Sequence, residues 1–89
     1  MPYSSEEVRE TVLAIIEQLA PEREQFEAGK DMRLVEDLGF HSLALLEMAF
    51  AIEDDFDLPP IDEKTGRSIQ TTEQVLAYVL SQVEVRTPS

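Results

Sequence analysis

The chain has 89 residues, no cysteine, 43% hydrophobic and 29% charged residues, and a formal net charge of −12. That length allows one domain with a single modest core, and the absence of thiols excludes a disulfide framework, a thiolate metal site and a cysteine nucleophile. Acids outnumber bases 19 to 7, the reverse of the basic footprint that a nucleic-acid backbone requires. No apolar stretch is long enough to cross a bilayer, and no secretory core follows Met1, so a cytoplasmic protein is expected.

Val8, Val12, Ile15, Ile16 and Leu19 recur at spacings of three and four, which is one face of a helix. Ser4 with Glu7 reads as a capping box ahead of it and Pro21 stops it, predicting a helix over about residues 5–19. Residues 21–41 show no sustained period and are punctuated by Pro21, Gly29 and Gly39. A connection that long needs a short helical turn near 22–27, or a crossover tacked down by Phe26, Leu34, Val35 and Leu38. A second helix is predicted from about Ser42 to Asp55, with Leu43, Leu45, Leu46, Ala49, Phe50, Ile52 and Phe56 as a wide apolar stripe. Asp57-Leu58-Pro59-Pro60 ends it. One weak turn fits residues 62–68, interrupted by Gly66. A last helix then runs from a Thr71 or Thr72 cap to about Val83 on Val75, Leu76, Val79, Leu80 and Val83.

These elements predict a small all-α four-helix bundle, three longer helices plus one short, with a long first loop. Residues 1–89 form one domain, with a core at about 4–83 and a tail over 84–89, and a monomer is expected.

Charge is uneven along the chain. Between Arg33 and Lys64 there is no Lys or Arg, while Glu36, Asp37, Glu47, Glu53, Asp54, Asp55, Asp57, Asp62 and Glu63 supply nine of the nineteen acids. A helix acidic only for solubility usually interleaves both signs. An uncompensated acidic middle third instead steers the protein to basic partner surfaces.

The stretch Asp37-Leu38-Gly39-Phe40-His41-Ser42-Leu43 carries the chemistry. Gly39 permits a turn with positive φ, and Ser42 falls at the N-cap or first turn of an acidic helix. An ordinary N-cap serine would use its hydroxyl on an orphan amide, but Leu45 stands where a capping box wants Glu or Gln. A helix N-terminus is also a good seat for a phosphodiester. No catalytic residues are assigned: Leu43-Ala44 after Ser42 breaks the nucleophile-elbow pattern, and His41 is the chain's single histidine. Glu53-Asp54-Asp55-Asp57 lacks the spacing of a calcium loop, so no metal site is assigned either.

Leu34-Val35-Glu36-Asp37-Leu38-Gly39-Phe40-His41-Ser42-Leu43, followed by Glu47 and Glu53-Asp54-Asp55-Phe56, resembles the acyl carrier proteins. The resemblance continues through Ile69-Gln70-Thr71-Thr72-Glu73-Gln74-Val75-Leu76-Ala77-Tyr78-Val79 and covers nearly the whole chain. It implies that Ser42 bears 4′-phosphopantetheine, attached covalently from coenzyme A, whose thiol carries acyl groups as thioesters. The protein is then a freestanding carrier and not an enzyme. The implied partners are a phosphopantetheinyl transferase and ketosynthase, acyltransferase or adenylation-type loading enzymes with basic docking surfaces, with no nucleic acid and no membrane. Asp37, His41, Leu43, Glu47, Glu53 and Asp54 are the recognition candidates. Leu46, Phe50 and Ile61 mark a candidate cargo cleft, although core packing is expected of each, and the bulk of Phe50 is expected to keep cargo largely outside the core.

The pattern departs from the family at two positions. His41 stands where acyl carriers usually have Asp and where peptidyl carriers commonly read Gly-Gly-His-Ser-Leu, and Ala44 replaces an often acidic position. A carrier of acyl or polyketide intermediates in a specialised polyketide or fatty-acid-like pathway is the reading that follows. An aminoacyl or peptidyl carrier of a nonribosomal pathway is one alternative. An acidic interaction bundle that takes no prosthetic group is the other.

Overall fold

In the computed structural model, which describes residues 4–86, the capping box starts the first helix as its residues require. The Ser4 hydroxyl accepts from the Glu7 amide at 3.1 Å, and the Glu7 carboxylate accepts from the Ser4 amide at 3.2 Å. Helix α1 (Ser5–Leu19) buries Val8, Val12, Ile15 and Ile16, and Ala20 turns the chain into an extended conformation just before Pro21.

The long connection to the next helix resolves both sequence options together. It contains a single 3-10 turn at Arg23–Gln25 and is also tacked down. The Glu22 amide donates to the Leu38 carbonyl, the Leu34 amide to the Gln70 carbonyl, and the Thr72 amide to the Met32 carbonyl. The last two form an isolated antiparallel bridge that joins Arg33 to Thr71. Thr72 is fully buried behind this bridge, where its hydroxyl accepts from the Met32 amide at 3.0 Å. Leu34, Leu38 and Phe40 are buried and Phe26 is half-buried, whereas Val35 is 58% exposed and is not the anchor expected of it. Residues 33–38 curl into a helix-like turn, in which Leu34 and Leu38, four apart, face inward together and Val35 faces out.

Helix α2 (Ser42–Phe56) ends one residue before the Leu58-Pro59-Pro60 run. Asp57 takes up the left-handed conformation (φ 53°), and its amide and that of Leu58 both bond to the Glu53 carbonyl. Its buried side chains are Ala44, Met48, Ile52 and Phe56. Leu43, Leu46 and Phe50 lie on the outside, which corrects the predicted stripe. Apolar residues occur on more than one side of this helix, and residues four apart share a side, so the buried line Ala44, Met48, Ile52 and Phe56 leaves Leu43, Leu46 and Phe50 on another.

Helix α3 (Glu63–Ser68) is a short helix capped by the Asp62 carboxylate, which accepts from the Thr65 amide at 2.7 Å, and it buries no residue. Helix α4 (Thr72–Arg86) runs three residues beyond the predicted end. It is capped by Thr71, whose hydroxyl accepts from the Gln74 amide, while the Gln74 side chain accepts from the Thr71 and Gln70 amides. Residues 87–89, the end of the expected tail, lie outside the described residues. Helix α1 packs on both α4 and α2, and Val75, Leu76, Val79 and Val83 close the core from the α4 side.

Candidate functional site

Phe40 is the last fixed point before the site. It is buried to 1% exposure, and its amide donates to the Leu34 carbonyl at 3.0 Å. Gly39 makes the preceding turn with φ 76°, and the side chain of Glu22 packs against it so closely that an added Cβ would lie 2.7 Å from Glu22 Cγ. Only glycine meets both conditions without strain. The turn delivers His41, extended and exposed, as the N-cap of α2. Its Nδ1 accepts from the Ala44 amide at 3.4 Å, and the Leu45 amide closes the first backbone turn on the His41 carbonyl at 2.9 Å.

Ser42 is therefore the first helical residue and not the cap. It is exposed, and its hydroxyl makes no hydrogen bond among the described residues. The amides of Ser42 and Leu43 are likewise left over at the positive end of the helix dipole. A free hydroxyl beside free amides fits a phosphodiester, whose bridging oxygen Ser42 would supply and whose charge these amides would meet.

A cleft of about 460 Å³ opens beside Ser42, between α2, α3 and the start of α4. Leu45, Leu46, Met48, Ala49 and Ile52 form the α2 wall, Ile61 and Ile69 flank the short helix, and Val75 and Tyr78 close the α4 side. Of the three cleft candidates, Leu46 and Ile61 line it and Phe50 does not. Phe50 is 61% exposed on the outer face of α2, so it neither packs in the core nor fills the cleft, because the turn that buries Met48 and Ile52 carries Phe50 away from both. The Tyr78 phenol is held above its ordinary pKa, first by burial and then by the Glu53 and Asp62 carboxylates nearby.

The recognition candidates divide by what they already do. Asp37 accepts from the Arg33 amide at 2.8 Å and pairs loosely with its guanidinium, and Glu53 accepts from the Ile61 amide at 3.0 Å, so both carboxylates hold loops. His41 caps. Leu43, Glu47 and Asp54 share the outward face of α2 with Leu46 and Phe50, and all five are exposed. Neither Glu47 nor Asp54 has an ion-pair partner among the described residues. The sequence reading missed Phe50 as a surface residue. Its signal was available in the spacing of Leu43, Leu46 and Phe50, a second apolar line beside the one that is buried.

Among the described residues no three acidic or histidine side chains converge as a metal site, and no helix is long and apolar enough to cross a membrane. No protein-family model matches the chain. It is 35% identical over 77 residues to an acyl carrier protein of Akkermansia muciniphila, an alignment covering 85% of this chain and 92% of that one. To an acyl carrier protein of Streptomyces coelicolor it is 36% identical over 78 residues, covering 88% of this chain and 79% of the other. Acyl carrier proteins are non-catalytic carriers that generally bear a phosphopantetheine group and work with a phosphopantetheinyl transferase and biosynthetic enzymes. With likeness over most of both chains, a four-helix fold and a free serine at the head of α2, the chain belongs to the acyl carrier protein family.

Proposed function

We propose that Ser42 is the attachment point of 4′-phosphopantetheine and that the protein shuttles acyl or polyketide intermediates as thioesters in a specialised polyketide or fatty-acid-like pathway. The observation that carries the reading is the Ser42 hydroxyl, exposed and unbonded at the start of a helix, within the motif that resembles the family's. In the loading step Ser42 Oγ attacks the pantetheine-bearing phosphorus of coenzyme A. The bond from that phosphorus to the bridging oxygen breaks, adenosine 3′,5′-bisphosphate leaves, and the hydroxyl proton passes to a base on the transferase. Once bound, the group supplies a terminal thiol for thioester chemistry. The protein's own part is tethering, which raises the local concentration of cargo at each partner's active site.

Partners are met by the outward face of α2. Leu43, Leu46 and Phe50 offer apolar contacts, and Glu47 and Asp54 steer the face toward basic surfaces. Asp37, His41 and Glu53 serve that encounter by holding the loop before α2, its cap and the loop after it. Such an encounter is weak and salt-sensitive, as a shuttle requires. The cleft lined by Leu46 and Ile61 is the place for cargo, and its apolar walls suit a hydrocarbon segment. On this reading the protein works as a cytoplasmic monomer and as one domain.

The test is intact-protein mass spectrometry after incubation with coenzyme A and a broad-specificity phosphopantetheinyl transferase, with Ser42→Ala alongside. One phosphopantetheine on the wild type and none on the variant is the expected result. No addition to the wild type would leave the acidic interaction bundle as the function. His41 before the serine favours a second reading, an aminoacyl carrier of a nonribosomal pathway. Loading of the thiol by an adenylation enzyme, and not by acyltransferases, would establish it.

A further inference from the structure

We infer that His41 is a positioning residue that takes the cap of α2 so that the Ser42 hydroxyl stays unbonded for modification. The inference rests on the reading of Ser42 as the attachment point. His41 and Ser42 are neighbours, and either can in principle start the helix. Serine is among the strongest N-caps and histidine is not, so composition alone favours a helix that begins after Ser42. In that register the Ser42 hydroxyl would accept from the Leu45 amide, three residues on, and would be tied up.

The structure adopts the other register. His41 has the extended backbone of a cap (φ −114°, ψ 178°), its Nδ1 accepts from the Ala44 amide, and the Leu45 amide is used on the His41 carbonyl. Ser42 already lies inside the helix, and its Oγ has no hydrogen-bond partner among the described residues. The two registers are exclusive, because the Leu45 amide cannot close the first turn on His41 and also serve a Ser42 cap. Phe40, buried one residue earlier and bonded to Leu34, holds the approach path on which His41 reaches the cap.

This division of labour has a consequence for the modified protein. A serine that capped its own helix would change its capping acceptor on esterification, from a hydroxyl oxygen to the weaker bridging oxygen of a phosphodiester. With His41 as the cap, the first turn of α2 keeps the same hydrogen bonds before and after loading.

The experiment compares wild type, His41→Ala and His41→Asn, the last supplying a side-chain oxygen that can cap in place of Nδ1. Two measurements are made on each: kcat/KM for phosphopantetheinylation by intact mass, and the amide and Cβ chemical shifts of residues 41–46 by NMR in the unmodified protein. The expected result is that His41→Ala is modified roughly fivefold more slowly, the rate equivalent of a typical cap. In the same variant the Leu45 amide and Ser42 Cβ shift to those of a serine cap, and His41→Asn restores both rate and shifts. Wild-type rate in His41→Ala with an unmoved Leu45 amide overturns the inference. So does a slow His41→Asn whose Ala44 amide still shows a cap, since that outcome makes His41 a direct contact of the transferase. If the wild type takes no phosphopantetheine, the reading of Ser42 fails, and the NMR comparison still decides which residue sets the register.

Discussion

Gly39 offers the sharpest test of how the turn before Ser42 is built. Gly39→Ala places a Cβ on a residue with φ 76°, where a non-glycine residue costs about 1–2 kcal/mol. The same Cβ lies 2.7 Å from Glu22 Cγ, so the Glu22 side chain must also swing aside. In a domain of this size about 1 kcal/mol moves the melting temperature by roughly 4–8 °C, so Gly39→Ala is expected to melt about 5–15 °C below wild type. Glu22→Ala in the same background removes the crowding but not the left-handed backbone, and recovers only part of the loss. Thermal denaturation of the four proteins of this double-mutant cycle, followed by circular dichroism, gives both components. Melting of Gly39→Ala within about 1 °C of wild type would refute the reasoning, since the backbone cost alone exceeds that margin.

Three further outcomes are expected. Phe50→Ser changes stability by less than about 0.5 kcal/mol, while Phe56→Ala, at a position 1% exposed, costs about 3–5 kcal/mol; urea unfolding of both separates the outer face of α2 from its buried face. Rates with partner enzymes fall for Phe50→Ser if α2 docks by that face. Thr72→Val strands the Met32 amide behind the bridge and costs about 1–3 kcal/mol in the same assay. The Asp62 carboxyl is held below its ordinary pKa of 3.8, chiefly by its hydrogen bond with Thr65. Its contribution to α3 is thus fully present above that ordinary value and is lost as pH falls through the lower folded value. An upfield move of the Thr65 amide resonance in that acid range, absent in Asp62→Asn, is the expected NMR signature.

Legibility followed how many independent cues converged on each element. Helix α1 was readable to the residue because its period, its capping box and Pro21 agree. Helix α2 was readable as a helix but not as an oriented one. Leu43, Leu46 and Phe50 form an apolar line comparable with the buried Ala44, Met48, Ile52 and Phe56, so periodicity alone did not single out the face that turns inward. The same limit hid Val35, whose neighbours Leu34 and Leu38 take the inward side of one turn. At the site, the motif marked Ser42, and Gly39 marked the turn. That His41 and not Ser42 caps the helix was beyond propensity, since the choice depends on where buried Phe40 delivers the chain. The cleft was half legible: Leu46 and Ile61 line it, but an empty volume under a helix with no buried residue leaves no trace in periodicity.

The bridge from Met32–Leu34 to Gln70–Thr72 has a consequence for the order of events during synthesis. Met32 and Thr72 are 40 residues apart, so this closure is slow to form compared with the helices on either side of it. Helices α1 and α2 both precede Thr72 in the chain, yet the loop that aims Phe40 and His41 lacks its Gln70 and Thr72 partners until the last helix begins, and has only the Glu22–Leu38 bond to α1's end before that. A chain halted ahead of Gln70 therefore holds Ser42 behind a loop with one of its two anchors missing.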